Sequence, residues 1–216
     1  MWVTVAIVWP CLLGVEQYAA AGRQVEVPRP DCPGCGRAMG LWSGYARWVR
    51  VGGRAWRVWV RRARCGSCRV THALLPSFAL ARRVDVVEVI GAALERAAAG
   101  VGLRPVAAGL GVPQTTVRDW RRRFACRAGL LAAGLGALAV EVGAALPRQV
   151  GGVQDAVVAA LGAVWWRVQG RLGRAAPGRW QLAALLTGGG LLGTTMSPLW
   201  AGLAGPGWMP PVPDPP

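Results

Sequence analysis

The chain has 216 residues, 53% of them hydrophobic, and a formal net charge of +15, which is length and apolar content enough for one or two domains around a real core. Its ten acids are scattered and it has a single histidine, which argues against the clustered carboxylates of two-metal phosphoryl transfer and against Ser-His-Asp hydrolase chemistry. No catalysis of its own is expected.

The charge is uneven. Residues 1–127 hold 20 Arg and 7 acids, giving +13, whereas residues 128–216 hold 5 Arg and 3 acids, giving +2. A sequence pI near 11.5 concentrated in one half is the electrostatic footprint of a phosphate-binding partner, with an anionic membrane surface as the competing explanation. Every positive side chain is arginine, which can fork phosphate and guanine bidentately.

Residues 1–31 open with an apolar run that Pro10 interrupts; it lacks a basic leading segment and a small-residue cleavage site. A short strand over 3–8 and a helical turn around 16–21 are expected to pack on the cysteine-bearing segment after them. With reduced thiols and no export signal, the expected location is the cytoplasm, in association with the nucleoid.

Residues 32–80 contain two Cys-x-x-Cys pairs, Cys32/Cys35 and Cys65/Cys68. Two residues between thiolates let one tight turn aim both sulfurs at one cation, and two such turns complete a tetrahedral cage suited to Zn2+. The paired units favour metal over a disulfide. A redox Cys-x-x-Cys would be expected beside a βαβ pattern, which is missing here. Four thiolates leave no open position for water, so the metal is expected to be structural. Gly34, Gly36 and Gly66 offer positive φ at the two turns.

Between the pairs, strand-like alternation over 45–51 and 54–62 flanks Gly52-Gly53, a hairpin signal. Hairpin and knuckles together predict a zinc ribbon, which the metal would help to fold. From Arg47 to Arg69 there are eight Arg and no acid, so the hairpin is either a solvated basic face or a nucleic-acid contact. His72 follows four residues after Cys68; with the cage already full, the sequence favours a hydrogen-bonding role for it.

A helix is expected over 85–99, with Asp85 as N-cap and Glu88 completing a capping-box-like pair. Its apolar residues, Val86, Val89, Ile90, Ala93, Leu94 and Ala97, follow helical spacing. A short helix over 105–110, the turn Gly111-Val112-Pro113 and a second helix from 113 or 114 form the pattern of a helix-turn-helix unit spanning 85–127. Val117, Trp120 and Phe124 are spaced to bury one face. Gln114, Thr115, Thr116, Arg118, Asp119, Arg121 and Arg122 then point outward. Gln114, Thr115, Thr116 and Arg118 are candidates to meet base edges, and Arg121, Arg122 and Arg123 to hold phosphates. Asp119 is expected either to accept from cytosine or to pair with Arg122 or Arg123.

Residues 128–205 are rich in Ala, Gly and Leu. Helices are expected over 128–146, 153–172 and 181–186, the first too Gly-rich and Ala-dominated for a membrane span. A loop is expected from 187 and a proline-rich disordered tail over 206–216. Cys11 and Cys126, with no near partner, are expected to be buried small apolar residues.

The segments IVWPCLLGVEQYAAAGRQVEVPRPDCPGCG, MGLWSGYARWVR, RCGSCRVTHALLPSF and GLGVPQTTVRDWRRRF resemble a family of uncharacterised actinobacterial proteins with a zinc ribbon followed by a helix-turn-helix. Those in turn resemble the N-terminal DNA-binding regions of insertion-sequence transposases. The resemblance is carried most specifically by Cys32, Cys35, Cys65, Cys68, Trp42, Gly44, Tyr45, Thr71, His72 and Pro76. It implies DNA binding by association.

The expected fold is therefore α+β, a small zinc β-ribbon followed by a mostly helical helix-turn-helix region and C-terminal helices. The expected function is zinc-dependent binding of double-stranded DNA, as a transcriptional regulator or a transposition-related accessory. Two alternatives stay open: an interaction module that forms a homodimer or holds a protein partner through the C-terminal helices, and a binder of RNA or other single strands through exposed Trp and Arg.

Overall fold

A computed structural model describes residues 6–146 and 151–193. The predicted tail over 206–216, the start of the strand expected over 3–8 and most of the loop expected from 187 lie outside them. The fold is mixed α+β, with a four-stranded sheet and, among the described residues, seven α-helices.

The sheet is built on the hairpin of β2 (Met39–Val51) and β3 (Arg54–Cys65). Its turn is Gly52-Gly53, with φ of 52° and 81°, the double left-handed geometry whose twist suits adjoining antiparallel strands. Both strands run several residues beyond the expected ones. The register slips once, between Leu41 and Ser43, which leaves Trp42 as the extra residue of a bulge.

Two further strands enlarge the sheet, with β1 (Ala6–Trp9) and β4 (Thr71–Pro76) giving the order β1-β4-β3-β2. The pairing of β4 with β3 is antiparallel and that of β1 with β4 parallel. Residues 71–76 do not show a half-buried alternation, because Ala73, Leu74 and Leu75 are all buried. A short continuous apolar run of this kind is ambiguous in sequence. In the fold it is an inner strand covered on both faces, and His72 is buried within it.

The first helix, α1 (Val15–Ala21), lies against β3, where the Tyr18 hydroxyl donates to the Trp59 carbonyl at 3.1 Å. Just beyond it, Arg61 donates to the Arg23 carbonyl at 2.9 Å. Tyr18, Val49, Val58, Val60, Leu74 and Phe78 form the core of the sheet half.

The helical half comprises α2 (Val87–Ala98), α3 (Leu103–Leu110), α4 (Gln114–Ala125), α5 (Ala128–Glu141), α6 (Val153–Leu172) and α7 (Arg179–Leu186). Its core joins Ile90 and Leu94 of α2 to Val117, Trp120 and Phe124 of α4, and to apolar residues of the last three helices. The 3.6-residue spacing in α4 thus buries the face it marks.

Several sequence expectations change. Asp85 is not the cap of α2: the N-cap position is Val86, with no side-chain cap, and the Asp85 carboxylate is committed to Arg50. Glu95 accepts from Arg179 and from the Trp180 indole of α7. Cys126 is exposed, whereas Cys11 is buried as expected. The helix expected over 128–146 stops at Glu141, fourteen residues long, about 21 Å against a hydrocarbon layer of about 30 Å. No single described helix is long and apolar enough to cross a membrane, and α4 and α5 meet at a 61° bend.

Candidate metal centre

Both knuckles lie at the base of the hairpin, opposite the Gly52-Gly53 tip. Cys65 is the last residue of β3 and pairs with Met39, the first of β2; one step outward, Asp31 bridges to Ala38. The antiparallel register therefore brings the two Cys-x-x-Cys loops together.

The two loops repeat one backbone pattern. Cys32 N donates to Arg37 O at 2.8 Å and Cys65 N to Val70 O at 2.9 Å. Gly36 N donates back to Cys32 O at 2.8 Å, and Arg69 N to Cys65 O at 3.1 Å. The residue just after the second cysteine is left-handed in each, Gly36 at φ 69° and Arg69 at φ 63°. Of the glycines expected to turn the knuckles, only Gly36 has a positive φ. In the second knuckle the turn falls on an arginine, a conformation that costs a non-glycine residue roughly 1–2 kcal/mol. The closed loop maintains it.

The four sulfurs lie within 4.8 Å of one another. Cys32 and Cys68 are 3.5 Å apart, and Cys35 and Cys65 are 3.4 Å apart. A tetrahedron with metal–sulfur bonds of about 2.3 Å has edges of about 3.8 Å, so small adjustments would seat a cation at the centre. Cys32 and Cys65 are buried, Cys68 is half-buried and Cys35 is exposed, which puts the cage at the surface with two ligands rooted in the sheet core.

One of the four thiols, Cys65, already favours loss of its proton. The Cys68 backbone donates to the Cys65 sulfur and, against the opposing effect of burial, brings that thiol down to about 6, with help from Cys35 and the Ser67 backbone. At Cys68 the Val70 backbone favours the thiolate, but hydrogen bonding with Cys32 and burial prevail, and the thiol is raised to about 11. A thiol lowered beside thiols that are raised is how coupled acids titrate before a cation displaces their protons. The arrangement suits a structural metal. Among the described residues this is the group of side chains placed to hold one, and His72 is not part of it.

The residues singled out on α4 do not form a cluster with the cage. Gln114, Thr115, Arg118 and Arg122 are exposed, while Thr116, Arg121 and Arg123 are half-buried. Gly111 is left-handed at φ 64° and turns the chain between α3 and α4. Asp119 takes the second of its two expected roles and pairs with both neighbours, accepting from Arg122 at 3.0 Å and from Arg123 at 2.8 Å. Arg83 lies 4.0 Å away on the loop before α2. Led by the Arg123 hydrogen bond, these cations hold the Asp119 carboxyl below its ordinary range.

Comparison with curated proteins gives no match, and neither does comparison with solved structures. Residues 32–120, from the first cysteine of the cage to Trp120 on the inner face of α4, match the family model described as Domain of unknown function (DUF6431).

Proposed function

We propose that the protein binds double-stranded DNA through α4, and that a zinc ion held by Cys32, Cys35, Cys65 and Cys68 fixes the ribbon. Four soft thiolates in a near-tetrahedral arrangement are the donor set zinc prefers. With every coordination position filled by sulfur, its contribution is to folding.

The DNA reading is carried by one observation: α4 buries Val117, Trp120 and Phe124 and turns Gln114, Thr115 and Arg118 outward near its N-terminus. Together with the short α3 and the Gly111 turn, this is the arrangement in which a second helix enters the major groove. Gln114 fits adenine and Arg118 fits guanine; Thr115 and Thr116 suit a thymine methyl or a phosphate. Arg121, Arg122 and Arg123 are the candidates for phosphate contacts, with Arg122 and Arg123 engaged by Asp119 in the free chain. A regulatory role, or an accessory one in transposition, needs no chemistry by the chain itself, and puts the protein at the nucleoid.

A second reading rests on α5. It carries no charge before Glu141, and its outward side includes Leu130 and Val140, 57% and 76% exposed. A helix apolar all round is usually covered, so a second copy or a protein partner would dock there.

The test is a salt titration of the full chain on duplex probes, with selection of bound sequences from a random pool. Steep log–log dependence and a selected site support the reading. Arg118→Ala should lose about 1–3 kcal/mol at the selected site and little on random duplex. Equal loss on both would reassign Arg118 to phosphate, and the absence of duplex binding in dilute buffer would refute the proposal.

A further inference from the structure

The β2–β3 register puts Trp48 opposite Arg57, Ala46 opposite Trp59 and Gly44 opposite Arg61. Directly opposed residues share a face and alternate residues stay on it, so these six positions line one side of the hairpin. Two of the six are indoles, diagonal neighbours about 7–8 Å apart along the backbone.

The two rings are held differently. Trp59 lies across Gly44, where an added Cβ would come within 2.5 Å of the indole nitrogen. The Arg23 guanidinium stacks 4.2 Å from its centroid, while Arg61 secures the Arg23 backbone. Trp48, nearer the tip, is 57% exposed beside the exposed Arg57. Between Asp31 and Asp85 the chain has eleven Arg and no acid. Several of these Arg are committed inward: Arg47 to the carbonyls of Leu80 and Arg83, and Arg50 to Asp85. Arg57 and Arg23 are exposed on this face.

We propose that this face of the hairpin is a second nucleic-acid site, specific for unpaired bases, in which Trp48 stacks on a base and Arg57 and Arg23 hold the flanking phosphates. Charge complementarity selects a polyanion. The exposed indole selects a single strand, because a duplex hides base faces and offers only edges and phosphates. The site is separate from α4 and does not depend on the duplex reading.

The test uses the full chain, with anisotropy of labelled oligothymidylate and oligouridylate of about 20 nucleotides, longer than a typical single-strand site, beside a random duplex. Trp48→Ala should weaken single-strand binding roughly tenfold or more and leave duplex binding and metal content unchanged. Trp48→Phe should retain most of the affinity, since a ring remains. Arg57→Glu, a second exposed change, should weaken single-strand binding independently. Preference for one oligomer would identify DNA or RNA as the source of the strand. No single-strand binding by the wild type would overturn the site. So would full affinity in Trp48→Ala, or equal loss on single strand and duplex. Loss of duplex binding alone, in Arg118→Ala, concerns α4 only.

Discussion

Asp85 closes on the guanidinium of Arg50 with two hydrogen bonds, 2.6 Å to Nε and 3.0 Å to the terminal nitrogen. Asp85 stands just before α2 and is buried, while Arg50 is the second residue before the hairpin turn. The pair therefore ties the far end of the hairpin to the start of the helical half. Backbone bonds run beside it, from Arg50 N to Val84 O at 2.8 Å and from Val86 N to Arg50 O at 3.2 Å.

Asp85→Ala removes both charge-assisted bonds and should cost about 1.5–3 kcal/mol, measured by urea unfolding. Stability equal to wild type would mean that the neighbouring backbone bonds suffice.

Cys65→Ser removes one corner of the cage. Bound metal, measured by elemental analysis of purified protein, should fall from one ion per chain towards none, with loss of sheet signal in circular dichroism. A chelator should do the same to the wild type. Undiminished metal in the variant would move the site elsewhere.

Glu88 carries a pH signature. Burial, opposed by a hydrogen bond from Gln181, raises its pKa above the ordinary 4.5, and its Oε1 is buried without a hydrogen-bond partner. A carboxyl raised in the folded state costs nothing while protonated in both states. It destabilises as pH rises from the unfolded value through the folded one. Glu88→Gln should therefore raise the melting temperature at neutral pH and leave it unchanged below the ordinary glutamate range. An equal gain at every pH would assign the effect to packing.

Gly91, inside α2, faces Trp180 of α7, and an added Cβ would lie 2.1 Å from the indole. Helix propensity favours Ala there by up to about 1 kcal/mol, but displacing a buried indole that is also bonded to Glu95 costs roughly 1–3 kcal/mol. Packing should win, so Gly91→Ala should lower the denaturant midpoint. A raised midpoint would show that α7 yields easily.

Asp119→Ala should release Arg122 and Arg123 and remove a negative charge from the proposed reading helix. Non-specific duplex affinity should rise and the salt slope steepen by up to about 2, or roughly 0.9 per added phosphate contact. An unchanged slope would mean that these arginines do not reach phosphates.

Local chemistry made much of this legible in sequence. The cysteine spacing, the Gly-Gly turn between alternating strands and the three-and-four spacing of Val117, Trp120 and Phe124 all act over a few residues. They were sufficient for the α+β class, the hairpin and the buried face of α4. Tertiary structure alone decided what depends on distant partners. The pairing of β1 with β4 joins residues as far apart in the chain as Ala6 and Ala73. Asp85 could serve as a helix cap or an ion-pair partner, and only the approach of Arg50, 35 residues away, selects between them. Arg69 takes the left-handed turn for which Gly66 is the obvious residue in sequence, where its backbone N–H closes the loop on the Cys65 carbonyl. Residue type states which interactions a side chain can make, and the folded chain determines which partner arrives.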